Sequence, residues 1–365
     1  MTQTRLHQLF TEQGQSPWLD NLKRGWITSG ELERWVERGV RGITSNPSIF
    51  QKAIGESDAY DPALRELVVE GASIEDSYWS LVTADIADAL TILRPVYDAS
   101  NGQDGYVSVE VAPELADDTE ATMVAARELD NRIGQPNLYV KIPGTAGGVP
   151  AVQQMIAEGR SINVTLLFGV ERYADVIEAY LAGLEAAEGD LSGISSVASF
   201  FISRVDTEID RRLTEIGTPG ALGLKGKAAV ANGKLAYALA ADKFSGPRWE
   251  ALAARGARVQ RPLWASTSTK DPSYPDTLYV DELIGPDSVN TLPDVTLEAF
   301  IDHGAVARTV DVDVDEARTT LAQITALGID LGEVATKLEA EGVSAFSKSF
   351  DELLGVMSTR AAEFK

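Results

Sequence analysis

A chain of 365 residues with 44% hydrophobic and 24% charged side chains has the composition of a globular protein that can bury a sizeable core. The absence of cysteine excludes disulfides, thiolate nucleophiles and Cys-ligated metal centres, and the two histidines, His7 and His303, leave little material for a His-based triad or metal site. The 32 basic and 55 acidic side chains give a formal net charge of −23, which argues against nucleic acid or an anionic membrane as partners and leaves lysine and carboxylates for catalysis.

The N-terminal segment MTQTRLHQLFTEQGQ lacks the apolar stretch of a signal peptide. No later segment approaches the roughly 18 uninterrupted apolar residues that a membrane-spanning helix needs. We therefore expect a cytoplasmic protein. Because the overall charge repels anions, an anionic substrate would need a local basic pocket.

Short apolar segments that alternate with amphipathic, helix-like stretches recur along the chain. In chain order, the predicted strands are 17–22, 40–48, 106–111, 138–144, 161–168, 195–203, 261–269 and 288–293, of which the first and the last have the weaker patterns. This alternation predicts a parallel sheet, and eight such units predict an α/β fold of the (β/α)₈ TIM-barrel type. The alternative, an open doubly wound sheet, would carry a G-x-G-x-x-G turn after its first strand, and no such turn is present.

The chain contains no low-complexity segment and no Ser/Pro-rich hinge, so we predict one domain over residues 1–365. A helical insertion is predicted at about 51–100. Three or four amphipathic helices are predicted at about 296–365, where they would pack on the barrel or cover its mouth.

Several predicted strands carry polar residues two positions apart, which places both members of a pair on the same face. These pairs are Thr44 with Asn46, Ser108 with Glu110, Tyr139 with Lys141, and Asn163 with Thr165. Since a barrel interior is filled mainly with branched apolar side chains, polar residues collect at its C-terminal mouth, where active sites of this fold lie. We expect the four pairs to line one pocket.

Lys141 is the most informative residue, because it stands in an otherwise apolar strand before a Pro-Gly turn. Burial disfavours the ammonium form, and a neutral amine can attack a carbonyl. The alternative is a lysine at a strand end that reaches solvent or forms a salt bridge. Glu110 and Asp20 are carboxylates in comparable contexts that could move protons, although each could instead cap a helix or pair with a cation.

Three polar residues after the sixth and seventh predicted strands could bind phosphate. Arg204 follows the sixth strand, and Ser266 and Lys270 belong to the hydroxyl-rich segment ASTSTKD of the seventh. A guanidinium, an ammonium and hydroxyls on neighbouring loops suit a phosphate group. The alternative is that both cations are ordinary surface charges.

Four segments resemble the signatures of the transaldolase family, and the resemblance extends along nearly the whole chain. They are TSNPSIF (44–50), LYVKIPGT (138–145), INVTLLF (162–168) and SVASFFISRVD (196–206). With the segment 265–293, the chain is most similar to transaldolases of the long, actinobacterial type and to the transaldolase half of fused transaldolase–glucose-6-phosphate isomerase proteins.

The resemblance implies a barrel of the class I aldolase type that transfers a dihydroxyacetone unit between sugar phosphates and needs no metal or organic cofactor. It assigns catalysis to Lys141 as the Schiff-base lysine, Asp20 as the acid and base at the sugar hydroxyl, and Glu110 acting through a water that Thr165 helps to hold. It assigns substrate hydroxyls to Asn46, Asn163 and Ser199, and phosphate to Arg204 and Ser266, while Thr44 and Phe201 are further predicted substrate contacts.

One departure concerns phosphate binding, because shorter transaldolases carry an arginine shortly after the seventh strand, where Lys270 stands here. Two other functions stay open. Fructose 6-phosphate aldolases resemble this chain but tend to carry glutamine at the position of Glu110 and tyrosine at that of Phe201. A catalytically silent sugar-phosphate-binding barrel is the second alternative. We expect a monomer or a homodimer.

Overall fold

A computed structural model describes residues 3–364, in which seven parallel strands form one sheet. The strands are β1 (Gln15–Leu19), β2 (Val107–Glu110), β3 (Leu138–Pro143), β4 (Ile162–Leu167), β5 (Ser196–Phe201), β6 (Arg261–Ala265) and β7 (Ser288–Leu292). Their order is β1-β7-β6-β5-β4-β3-β2. Every strand residue is buried, as expected of parallel strands covered on both faces.

Helices connect and flank the strands. They are α1 (Arg5–Gln13), α2 (Arg24–Thr28), α3 (Glu31–Glu37), α4 (Pro47–Gly55), α5 (Asp61–Val69), α6 (Ile74–Ala99), α7 (Thr119–Ile133), α8 (Gly148–Ala157), α9 (Val170–Ala186), α10 (Ser203–Ile216), α11 (Pro219–Leu222), α12 (Ala228–Lys243), α13 (Gly246–Ala253), α14 (Leu278–Asp281), α15 (Asp294–His303), α16 (Val314–Ala326) and α17 (Leu331–Glu363), with a 3₁₀ turn at Pro113–Leu115. Within residues 3–364, no helix combines the length and the apolar character needed to cross a membrane.

The prediction of a regular strand over 40–48 is wrong. Only Ile43 pairs there, with one parallel bridge to Leu19 of β1 and one to Val107 of β2. The segment is short because Asn46 already caps α4. Gly42, just before the bridge, lies against the indole of Trp18, where a Cβ would come within 2.4 Å of the ring. The other seven predicted strands are present. The strand that carries Lys141 is therefore the third in chain order, β3, and not the fourth.

The predicted helical insertion at about 51–100 corresponds to α4, α5 and α6. Between residues 294 and 364 the structure describes three helices, α15, α16 and α17, because two predicted amphipathic segments form the single 33-residue helix α17. At 1.5 Å per residue this helix is about 50 Å long. It packs on α4, α6 and α10 and reaches the end of β4.

The two ends of the sheet differ in chemistry. At the amino ends of the strands, the fully buried carboxylate of Asp104 accepts hydrogen bonds from Ser16, Trp18, Arg41 and Arg261. This ionic cluster closes that end. Most of the polar residues singled out in the sequence lie towards the opposite, carboxyl ends of the strands, whereas the hydroxyl of Tyr139 lies 2.6 Å from Ser195 Oγ, just before β5.

Gly148 begins α8 directly after the turn that follows β3, and a Cβ there would lie 1.8 Å from the carbonyl oxygen of Pro143. Because backbone must move to relieve this overlap, we expect Gly148→Ala to lower the free energy of unfolding by about 3 kcal/mol. Gly355, inside α17, has open space around it. There the same substitution should add about 0.5–1 kcal/mol through helix propensity. Urea unfolding of both variants measures the change in the free energy of unfolding. Similar changes at Gly148 and Gly355 would contradict the steric account.

Candidate active site

Side chains from most of the strands converge on a cavity of about 130 Å³ at their carboxyl ends. Every site residue predicted from the sequence lines it except Glu110 and Asn163. The lining residues are Asp20, Thr44, Asn46, Lys141, Thr165, Ser199, Phe201, Arg204, Ala265, Ser266, Ser268, Lys270, Thr291, Pro293 and Phe346. The prediction that all four polar pairs line one pocket is therefore only partly correct. Thr44 and Asn46 line the cavity together, and Lys141 and Thr165 line it without the other members of their pairs. Tyr139 is fully buried elsewhere, with its hydroxyl 2.6 Å from Ser195 Oγ.

Lys141 projects from β3 into this site and is only 4% exposed. Its Nζ lies 3.0 Å from Glu110 Oε2 and donates a hydrogen bond to the backbone oxygen of Ser45 at 3.1 Å. The sheet register sets this contact, because Lys141 is paired with Glu110 on β2 and with Asn163 on β4. The lysine is thus buried and ion-paired, and it does not reach solvent at the strand end.

Glu110 lies behind Lys141, beside a second and much smaller cavity that Tyr78 and Phe350 also line. Burial raises the pKa of its carboxyl, although the charge of Lys141 opposes that shift. Within residues 3–364, Glu110 Oε1 has no hydrogen-bond partner, and neither does the buried hydroxyl of Thr165. Both groups are therefore able to bind a water or a substrate hydroxyl.

Asp20 follows β1 and is half-buried at the edge of the cavity. Its Oδ1 accepts a hydrogen bond from Thr44 Oγ1 at 2.6 Å, and Thr44 Oγ1 also lies 2.6 Å from Thr291 Oγ1. Burial raises the pKa of Asp20, and the Thr44 hydrogen bond together with the charge of Lys141 oppose the shift. This hydroxyl chain orients a carboxylate that can act as a general base.

Asn163 is fully buried and lies one layer behind the cavity. Its Nδ2 donates to Ser108 Oγ at 3.1 Å, and its Oδ1 accepts a hydrogen bond from Ser199 Oγ at 2.7 Å. Asn163 thereby fixes Ser199, which does line the cavity. Asn46 has both a structural contact and a place in the cavity wall. Its Oδ1 caps α4 by accepting a hydrogen bond from the Ile49 N–H at 3.0 Å, and the residue lines the cavity.

Two cationic side chains, Arg204 and Lys270, also line the cavity. Arg204 is the second residue of α10, and its guanidinium carbon lies 5.0 Å from the centre of the Phe201 ring. Within residues 3–364, Arg204 makes no hydrogen bond, and burial lowers the pKa of its guanidinium. Ser266 lies 2.9 Å from Ser203 at the start of α10, and Lys270 is exposed at the rim. A helix N-terminus beside an unpaired guanidinium suits a phosphate.

Sequence analysis missed Ala265, Thr291, Pro293 and Phe346, whereas Ser268 belongs to the hydroxyl-rich segment ASTSTKD that it singled out. The polar Thr291, in a predicted strand, carried a usable signal. Phe346 carried none, because it comes from α17, whose path over the sheet depends on tertiary packing. In the described range 3–364, no group of histidine, aspartate and glutamate side chains is arranged to hold a metal ion.

Comparisons with known proteins cover nearly the whole chain. The family model for transaldolase/fructose-6-phosphate aldolase matches residues 17–357. The transaldolase of Parafrankia sp. (strain EAN1pec) is 52% identical over 346 residues, which cover 93% of this chain and 94% of that protein. Transaldolase 1 of Streptomyces avermitilis is 51% identical over 354 residues, covering 96% and 94%. The transaldolase of Thermobifida fusca (strain YX) is 50% identical over 360 residues, covering 97% and 98%.

Proposed function

Since the chain belongs to the transaldolase/fructose-6-phosphate aldolase family, we propose that it is a transaldolase that moves a dihydroxyacetone unit through a Schiff base on Lys141. It is a transferase of the pentose phosphate pathway. The reaction converts sedoheptulose 7-phosphate and glyceraldehyde 3-phosphate into erythrose 4-phosphate and fructose 6-phosphate. The observation that carries the proposal is a lysine only 4% exposed, 3.0 Å from the carboxylate of Glu110, inside a cavity that Arg204 and Lys270 also line.

The first step needs an uncharged amine. Because burial raises the pKa of Glu110, its carboxyl is a good acceptor for a proton from Lys141 Nζ, and the transfer leaves two neutral groups in a buried place. The amine then attacks the C2 carbonyl of a ketose phosphate. Glu110 and Thr165, each with an unpaired polar atom in residues 3–364, hold the water that passes protons as the carbinolamine dehydrates.

The second step breaks the bond between C3 and C4. Asp20 takes the C4 hydroxyl proton, the electrons of the bond flow into the imine, and an aldose phosphate leaves. The raised pKa of Asp20 makes its carboxylate a stronger base, and the hydrogen bond from Thr44 holds it in position. The enamine stays on Lys141 until an acceptor aldehyde arrives.

Substrate binding uses both sides of the cavity. Arg204 and Ser266, with Lys270 at the rim in place of the arginine of shorter relatives, bind the phosphate. Ser199, held by Asn163, and Asn46 bind the hydroxyls of the three-carbon unit. A lysine is a point charge without the fork of a guanidinium, so its phosphate contact is less directional.

We further propose that the sheet works as a closed (β/α)₈ barrel of the class I aldolase type in one domain, with Ile43 at the eighth position between β1 and β2. Backbone hydrogen bonds on both sides of Ile43 support this closure: Thr44 N donates to Leu19 O at 2.9 Å, and Ser108 N donates to Ile43 O at 3.0 Å. A cytoplasmic location, the absence of a cofactor, and a monomeric or homodimeric state stay predictions.

Product analysis with fructose 6-phosphate tests transfer against simple cleavage. With erythrose 4-phosphate present, we expect sedoheptulose 7-phosphate to accumulate. Without an acceptor, the enamine should persist, so that release of free dihydroxyacetone stays far slower than transfer. Glu110 and Phe201 support transfer, since aldolase relatives tend to carry glutamine and tyrosine there. Sustained dihydroxyacetone release at the rate of transfer would favour the aldolase function instead.

A further inference from the structure

The long helix α17 lies across the site and presents two phenylalanines one turn apart. Phe346 forms part of the wall of the cavity that holds Lys141 and Arg204. Phe350 lines the small cavity behind Glu110. Residues four apart lie on the same face of a helix, so one face of α17 covers the lysine and its carboxylate together.

Contacts near both ends fix α17 over the strands. In its first half, Lys337 Nζ donates to Glu208 of α10 at 2.9 Å. In its last turn, the Arg360 guanidinium donates to the backbone oxygens of Ile54 at 2.8 Å and Ser57 at 2.7 Å, at and just beyond the end of α4. Phe346 lies between these anchors and is only 3% exposed. Its ring is therefore held in place at the cavity.

The helix also approaches the site very closely. At Gly342, one turn before Phe346, a Cβ would lie 2.8 Å from Leu166 Cδ2 and 3.7 Å from a guanidinium nitrogen of Arg204. Leu166 itself has a left-handed backbone, with φ of 61°, at the irregular end of β4. The glycine lets α17 settle against β4 and the proposed phosphate-binding arginine, so little space is left between the helix and the cavity.

From this geometry we infer that Phe346 determines the fate of the enamine, because its ring keeps bulk water, as a proton donor, away from C3 of the three-carbon unit held on Lys141. The inference rests on the proposed function and deepens it. Release requires a proton at C3 of the enamine to give the dihydroxyacetone imine. Water then adds at C2, and the C–N bond breaks to give dihydroxyacetone and the free amine of Lys141. Hydrolysis at C2 is common to release and transfer and uses the water held by Glu110 and Thr165, so the step that distinguishes them is protonation at C3. An apolar ring over the cavity withholds the bulk water that would supply this proton, and the aldehyde acceptor reacts at C3 first.

The test is the ratio of dihydroxyacetone released to sedoheptulose 7-phosphate formed from fructose 6-phosphate and erythrose 4-phosphate. Phe346→Ala should raise this ratio on the order of tenfold, which corresponds to a change of about 1.4 kcal/mol between the two barriers. Phe346→Leu keeps an apolar side chain of intermediate size and should raise it by a smaller factor. A merely structural role of Phe346 would lower both rates together and leave the ratio unchanged.

Leu353→Ala is the matched control, because Leu353 is fully buried on the same helix and does not line the cavity. We expect this variant to lose stability and to keep the wild-type ratio. If folded Phe346→Ala keeps the wild-type ratio, and borohydride still traps the substrate on Lys141, the inference about Phe346 is wrong while the proposed function stands. If Phe346→Ala does not fold, Phe346→Leu takes its place in the test, and an unchanged ratio of release to transfer in that variant also contradicts the inference. Failure to trap Lys141 in the wild type would instead contradict the proposed function.

Discussion

Replacement of Lys141 by methionine is expected to lower kcat on the order of 10⁴-fold or more, since the amine of Lys270, which also lines the cavity, lies exposed at the rim and not beside Glu110. Methionine keeps the apolar stem of the side chain in its buried place. Without Lys141, the charge that opposes the burial-raised pKa of Glu110 is removed, so protonation of this carboxyl is favoured further. We therefore expect a folded protein that still binds fructose 6-phosphate. Circular dichroism measures its folding, a binding titration measures its affinity for fructose 6-phosphate, and the transfer assay measures its kcat.

Lys243→Met is the control for this variant, because Lys243 is exposed in the last turn of α12, and its activity should equal that of the wild type. Substantial transfer by Lys141→Met would show that another amine carries the Schiff base. If Lys141→Met were inactive only because it is unfolded, its helical circular dichroism signal would be lost as well.

Asp104→Ala is expected to lower the free energy of unfolding by about 3–5 kcal/mol, the usual effect of removing one partner from a buried ion pair. The carboxylate is fully buried and accepts hydrogen bonds from Arg41 Nε at 2.7 Å and from an Arg261 guanidinium nitrogen at 3.1 Å. Alanine would leave two guanidinium groups at the amino end of the sheet without their counter-charge. Urea unfolding at pH 7 measures the effect.

Asp98→Ala is the control for this prediction, because Asp98 pairs with Arg94 in an exposed ion pair within α6. Exposed pairs of this kind contribute little, so we expect a change below about 0.5 kcal/mol. Equal effects at Asp98 and Asp104 would contradict the importance of the buried cluster.

The pH dependence of stability gives a second measure of Asp104. Burial alone would raise the pKa of this carboxyl, but the charges of Arg261 and Arg41 hold it below the usual value. A carboxyl with a lowered pKa in the folded state stabilises the protein above its unfolded-state pKa, and the stabilisation is lost as the pH falls through the folded-state pKa. Wild-type stability should therefore fall more steeply below about pH 4 than that of Asp104→Ala.

Much of the catalytic part of the site could be predicted from the sequence. Strand alternation alone placed Lys141 and Glu110 on inward faces, and the parallel register brings them within 3.0 Å. Short apolar runs were enough to locate the strands, because a parallel strand that is buried on both faces consists of a nearly continuous run of apolar residues. The segment around Ile43 was predicted as a full strand, since local apolarity does not reveal that the chain enters α4 four residues later.

Features that depend on distant packing could not be predicted. Asp104 stands in a polar turn sequence, and nothing local indicates its contacts with Arg41 and Arg261. Phe346 belongs to a helix predicted correctly in type, but the contacts that place it over Lys141 come from α4 and α10. Asn163 was predicted to contact substrate, whereas the structure puts it one layer behind Ser199.

The central claim is that the amine of Lys141 carries the substrate covalently, and reductive trapping tests it most directly. The wild-type protein would be incubated with fructose 6-phosphate, reduced with borohydride, digested and analysed by peptide mass mapping, with Lys141→Met treated in parallel. We predict the mass of a reduced dihydroxyacetone adduct on the peptide that contains Lys141, and no adduct in the variant. An adduct on a different lysine, or equal labelling of the variant, would contradict the account.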